Sequence, residues 1–148
     1  MLEGLKALFS GAEPEPPSPA LSTALLLVEL ARADFNVADE EQARIIELLA
    51  ARFGLGPEQA AALFGEARTQ ASRAVSLHEY IRALNSTLGP ADKGQLIEML
   101  WQVAYADGIL DPQEDMLLRR IAGLIYVPDR ERALARERAL AKLAAAKK

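Results

Sequence analysis

The stretch Ala104-Tyr105-Ala106-Asp107-Gly108-Ile109-Leu110-Asp111-Pro112-Gln113-Glu114 decides the fold. Before it, residues 96–106 are almost wholly apolar, and that run stops at Asp107-Gly108. After it, Asp111, Pro112 and Glu114 mark a helix start: a capping carboxylate, a first-turn proline and a glutamate three residues on. The stretch therefore reads as a tight, acid-rich elbow between two helices.

The same design occurs 73 residues earlier. That shift lays Leu27 on Leu100, Ala31 on Ala104, Ala33 on Ala106, Asp34 on Asp107, Val37 on Leu110 and Glu41 on Glu114. Further on, Ile45 falls on Leu118, Leu48 on Ile121 and Phe53 on Tyr126. Each copy is an apolar helix, Ala-x-Ala-Asp, a short link and an acid-capped amphipathic helix. Chance likeness between amphipathic helices is the plainer reading, but the Asp-x-x-apolar-x-x-x-Glu spacing of both links argues against it. Two such hairpins are expected to pack their apolar first helices together about a pseudo-twofold.

Outward from the elbows the chain reads as helix throughout, with no strand-like alternation. Helices are expected over 20–33, 39–53, 57–73, 76–88, 91–106 and 111–126, with a last one from 128 onward. Asp39 is a cap for the second, Gly54 suits its left-handed end, Pro57 opens the third, and Ser76 with Glu79 suits a capping box for the fourth. Residues 10–19 hold four prolines and read as a linker. The expected divisions are a 1–19 N-terminal segment and linker, a 20–127 helical domain and a 128–148 charged helix. The expected fold class is all-α: a compact bundle of about seven helices, in which the third and fourth cross between two pseudo-twofold-related hairpins.

Composition sets limits on function. At 148 residues, 51% hydrophobic and 26% charged, the chain can bury a real core without staples. It has no cysteine and one histidine, which excludes disulfides, thiolate metal sites and a His-rich zinc site within one chain. Residues 1–127 hold 10 basic and 18 acidic side chains, a net of -8, whereas 128–148 hold 7 and 3, a net of +4. The body thus favours cations and the tail favours anions, unless the tail is simply a solvated helix with interleaved charges. Neither a secretory signal nor an apolar run of membrane-spanning length is visible, so the cytoplasm is the expected location. Leu2, Leu5, Leu8 and Phe9 form a short amphipathic pattern that suits peripheral membrane association or docking on the body, or else a frayed terminus.

The paired pattern Ala33-Asp34…Val37…Glu41 and Ala106-Asp107-Gly108…Leu110…Glu114 resembles the tellurite-resistance protein B family, the TerB-like domains. It is also similar to the TerB-like domain on the N-terminal side of membrane-tethered DnaJ-type co-chaperones. The resemblance spans about residues 21–127, and the first copy departs from the pattern with Phe35 and Asn36 where glycine is common. It implies a helical domain with acidic clusters that bind divalent metal and serve stress-response complexes near the membrane, without an established catalytic mechanism.

The residues themselves allow two readings of the elbows. Asp107, Asp111 and Glu114, with Asp115 adjacent, are hard oxygen donors suited to calcium, magnesium or manganese, as are Asp34, Asp39, Glu40 and Glu41 in the first copy. The other reading is helix capping. The candidate metal ligands are Asp34, Glu41, Asp107, Asp111 and Glu114. A calcium loop of the EF-hand type fails, because its earlier ligand positions fall on Val103 and Tyr105, and on Leu30 and Arg32 in the first copy. His78 is expected to be a solvated polar residue. Trp101, Tyr105, Phe53, Phe64 and Tyr126 lie on apolar faces and are expected in the core or an interface, not as a stacking platform for nucleic acid. Gly54-Leu55-Gly56 is a helix end, not a phosphate loop. The expectation is a non-enzymatic module with protein partners in a stress-response complex, no nucleic-acid partner and a weakly held cation. The alternative is a purely structural or co-chaperone-type domain whose acids only cap helices. An enzyme such as a metal-dependent hydrolase is the third hypothesis. The sequence leaves the oligomeric state open.

Overall fold

Pro19 cannot donate a backbone hydrogen bond, and Ser18 before it accepts one from Leu21 N at 3.1 Å, so the chain enters its first helix there. The computed structural model describes residues 17–33, 39–73 and 77–146. These form seven helices: α1 Pro19–Ala31, α2 Asp39–Phe53, α3 Pro57–Ser72, α4 Leu77–Thr87, α5 Pro90–Ala104, α6 Pro112–Leu124 and α7 Asp129–Ala146. The all-α expectation holds. The last two linker residues belong to the cap and first turn of α1, a start the sequence reading set one residue late. Ser76, the expected cap of α4, lies outside the described residues, and so do Asp34 and Val37 of the first elbow.

α1 and α5 are the axis of the bundle because they are apolar on nearly every side. α1 buries Ser22 through Val28 without a break, and α5 buries Leu96 through Ala104. The two pack against each other, and each forms a hairpin with the amphipathic helix after it, α2 or α6. The cross-contacts run from α1 to α6 and from α2 to α5, the exchange that a pseudo-twofold requires. α3 and α4 lie between the two copies in sequence and pack on α1. Ile45 and Leu118, equivalent in the repeat, are both fully buried, as are Leu49 and Ala122. Burying one such aliphatic side chain stabilises the fold by roughly 1.5–3 kcal/mol.

The repeat slips by one residue where the hairpins end. α2 closes with Gly54 at φ 63 and a bond from Leu55 N to Ala50 O at 3.0 Å. α6 closes with the same motif one residue early, with Tyr126 at φ 63 and a bond from Val127 N to Ala122 O at 2.9 Å. Ile125 consequently fills the fully buried position, while Tyr126 is 77% exposed. This corrects the placement of Tyr126 on the apolar face, and the cause is the shorter α6. Trp101 and Phe64 are buried as expected, and Tyr105 and Phe53 pack partly buried against the core.

α7 lies along α5. It contributes Ala135, Ala139 and Leu143 to the contact, and polar groups do the rest. Trp101 Nε1 donates to Arg132 O at 3.2 Å, and Arg136 Nε donates to the Tyr105 hydroxyl at 2.8 Å. The Arg136 guanidinium lies 5.8 Å from the Trp101 ring centre and 5.5 Å from that of Tyr105. Buried Glu98 receives Arg138 at 3.5 Å and Lys142 at 3.3 Å. Part of the tail's positive charge thus faces a carboxylate of the acidic body, while Arg138 and Lys142 themselves stay exposed. Among the described residues no helix is long and apolar enough to cross a membrane.

Candidate functional site

The α5–α6 elbow is built from backbone bonds outward. Tyr105 N bonds to Trp101 O at 3.0 Å and Ala106 N to Val103 O at 3.1 Å, tightening the end of α5. The first elbow begins identically, with Arg32 N on Val28 O at 3.0 Å and Ala33 N on Leu30 O at 3.1 Å. In the second, Gly108 takes φ 86, a conformation that strains any residue with a Cβ, and its N–H closes a turn on Tyr105 O at 2.9 Å.

The acidic side chains of this elbow do separate work. Asp107 Oδ1 accepts from Ile109 N at 3.0 Å and stiffens the turn. Asp111 Oδ1 accepts from Gln113 N at 2.8 Å and is the N-cap of α6. Asp115 meets Arg119 Nε through both oxygens at 3.2 Å. Glu114 is only 2% exposed, and its repeat partner Glu41 is 3% exposed. The sequence placed both at the elbow surface as ligands; the structure buries both in the first turn of their helices, near the positive end of the macrodipole.

Among the described residues, no three of the histidine and acidic side chains gather as a group that could hold a metal ion. Asp107, Asp111 and Glu114 are thus neighbours in sequence without forming one such cluster. Asp34, the remaining predicted ligand, lies outside the described residues. Asp39 and Glu40 are exposed at the start of α2. Glu29, in the last turn of α1, has its carboxyl pKa pushed up by burial, with Arg32 opposing at 3.6 Å.

Next to the elbow lies a feature the sequence reading missed. Ile109 is 72% exposed and Met116 is 70% exposed, large apolar side chains facing water. Two hollows that share Leu117 and Arg120 open along α6. One, of ≈ 330 Å³, is lined by Leu77, His78 and Ile81 of α4 with Leu117, Arg120 and Leu124 of α6. The other, of ≈ 490 Å³, is lined by Ala33, Gln113, Met116, Leu117 and Arg120. The signal was present: Met116 and Leu124 fall off the α6 face that carries Leu118, Ile121 and Ala122 into the core.

No curated protein and no solved structure gives a significant match to this chain. One family model does match, that described as tellurite resistance protein TerB, over residues 20–137, which takes in α1 to α6 and the first half of α7. With two helical hairpins packed through α1 and α5, and with that match spanning most of its length, the chain belongs to the TerB family.

Proposed function

We propose that this TerB-family chain does no chemistry of its own and works by binding other proteins, as one part of a stress-response assembly. The observation that carries this reading is the exposed apolar strip of Met116 and Leu124 along α6, which opens on two hollows, with Ile109 exposed at the elbow before it. An elbow stiffened by Asp107 and Asp111 presents that strip on a fixed support. In this reading the acids serve first as caps. A divalent cation (calcium, magnesium or manganese) is a subsidiary ligand, held weakly through the exposed Asp107 at the C-terminal end of α5, where the macrodipole attracts a positive charge.

The test is capture of native partners on the tagged chain, beside a Met116→Glu/Leu124→Glu variant shown by circular dichroism to keep its helices. Partners held by the parent and lost by the variant support the reading. The same partners on both, or none on either, overturn it.

A further inference from the structure

We infer that the strip on α6 takes an acidic amphipathic helix of a partner protein, seated between α4 and α6 with a carboxylate on Arg120. This rests on the protein-binding reading above and narrows it to one kind of ligand. α6 carries two rows of contacts. Leu118, Ile121 and Ala122 point into the core and are fully buried. Met116, Leu117, Arg120 and Leu124 form a second row that lines the two hollows, with Leu117 and Arg120 common to both. Met116 and Leu124 stand one turn to either side of Arg120, so the row runs about 12 Å along the axis. That is the length of two to three turns of a partner helix lying in the groove, with leucine-sized anchors at each end.

Charge selects the sign of the occupant. Arg119 is already met by Asp115 at 3.2 Å. Arg120, beside it, has no carboxylate within ion-pair distance among the described residues. A cation in the middle of an apolar groove attracts a carboxylate and repels a basic helix. The apolar anchors supply the affinity; Arg120 fixes sign and register. The concave shape formed with Leu77 and Ile81 fits a helix better than it fits a bilayer.

The probe is a synthetic fifteen-residue peptide with leucines four residues apart and glutamates between them, compared with the same peptide carrying lysine for glutamate. Binding to the full chain is read by fluorescence anisotropy. The glutamate peptide is expected to bind about tenfold more tightly than the lysine peptide, the effect of one charge-assisted contact. Arg120→Glu reverses that preference, and Met116→Asp abolishes binding of both, while circular dichroism shows the helices kept. No binding of either peptide, equal binding that Arg120→Glu leaves unchanged, or binding only to phosphatidylserine vesicles overturns the inference. A cell partner captured through Met116 and Leu124 by a segment that is not an acidic helix overturns this inference alone. Capture of nothing through that face overturns the protein-binding reading beneath it as well.

Discussion

The Asp111 carboxylate replaces one of the partners that the amides of a helix start lack, and Pro112 after it removes another unmet donor. Its 2.8 Å bond to Gln113 N needs no metal. Asp111→Ala is therefore expected to cost about 1 kcal/mol in urea unfolding, equally in chelator and in millimolar calcium, magnesium or manganese. A loss that grows several-fold only in metal would make Asp111 a cation ligand. The capping role was legible in the sequence because Asp, Pro and Glu at that spacing carry a local mechanism. The burial of Glu41 and Glu114 was not, since the same spacing suits a solvated capping box equally well. Burial depends on what the facing helices bring, and a single segment does not encode that.

Element by element, the helices whose ends carry Gly or Pro were readable to within one or two residues, as at Gly54, Pro57 and Gly89-Pro90. The end of α6 was read two residues late, at Tyr126 instead of Leu124. Tyr126 occupies the left-handed position that Gly54 fills in the first copy, and a tyrosine gives no warning of that conformation. α7 is a helix with interleaved, exposed charges, and some of those charges also have specific partners on α5: Arg136 to Tyr105, Arg138 and Lys142 to Glu98. Ala135, Ala139 and Leu143 are the buried residues of α7, and the polar bonds to Tyr105 and Glu98 add to their contact with α5. Arg136→Ala is expected to weaken α7 by about 1 kcal/mol, through the lost hydrogen bond and the lost cation over two rings. The readout is amide hydrogen exchange. Exchange in α7 should quicken about fivefold while α1 to α4 stay unchanged, and a uniform change across all helices would show α7 to be inseparable from the core.

For the whole molecule, the duplication that the sequence showed as a shift of 73 residues becomes a mechanical statement. α1 and α5 bury each other, and each second helix also reaches the other copy's first. Neither hairpin has a core that the other does not complete, so the two copies should melt together. Trp101, the chain's sole tryptophan, sits in the second copy under α7 and reports on that half alone. Leu27 lies in the first copy, fully buried, at the position equivalent to Leu100. Leu27→Ala should remove roughly 2–5 kcal/mol of stability, a large part of the 5–15 kcal/mol typical of a domain, yet leave the chain folded in buffer. If the twofold core is one cooperative unit, the Trp101 fluorescence midpoint in urea moves as far as the far-ultraviolet circular dichroism midpoint, and both curves stay single sigmoids. A Trp101 transition that stays at the parent midpoint while the dichroism curve splits in two would mean that the hairpins fold separately. The strip on α6 would then rest on one hairpin, and its geometry would no longer depend on the duplicated core.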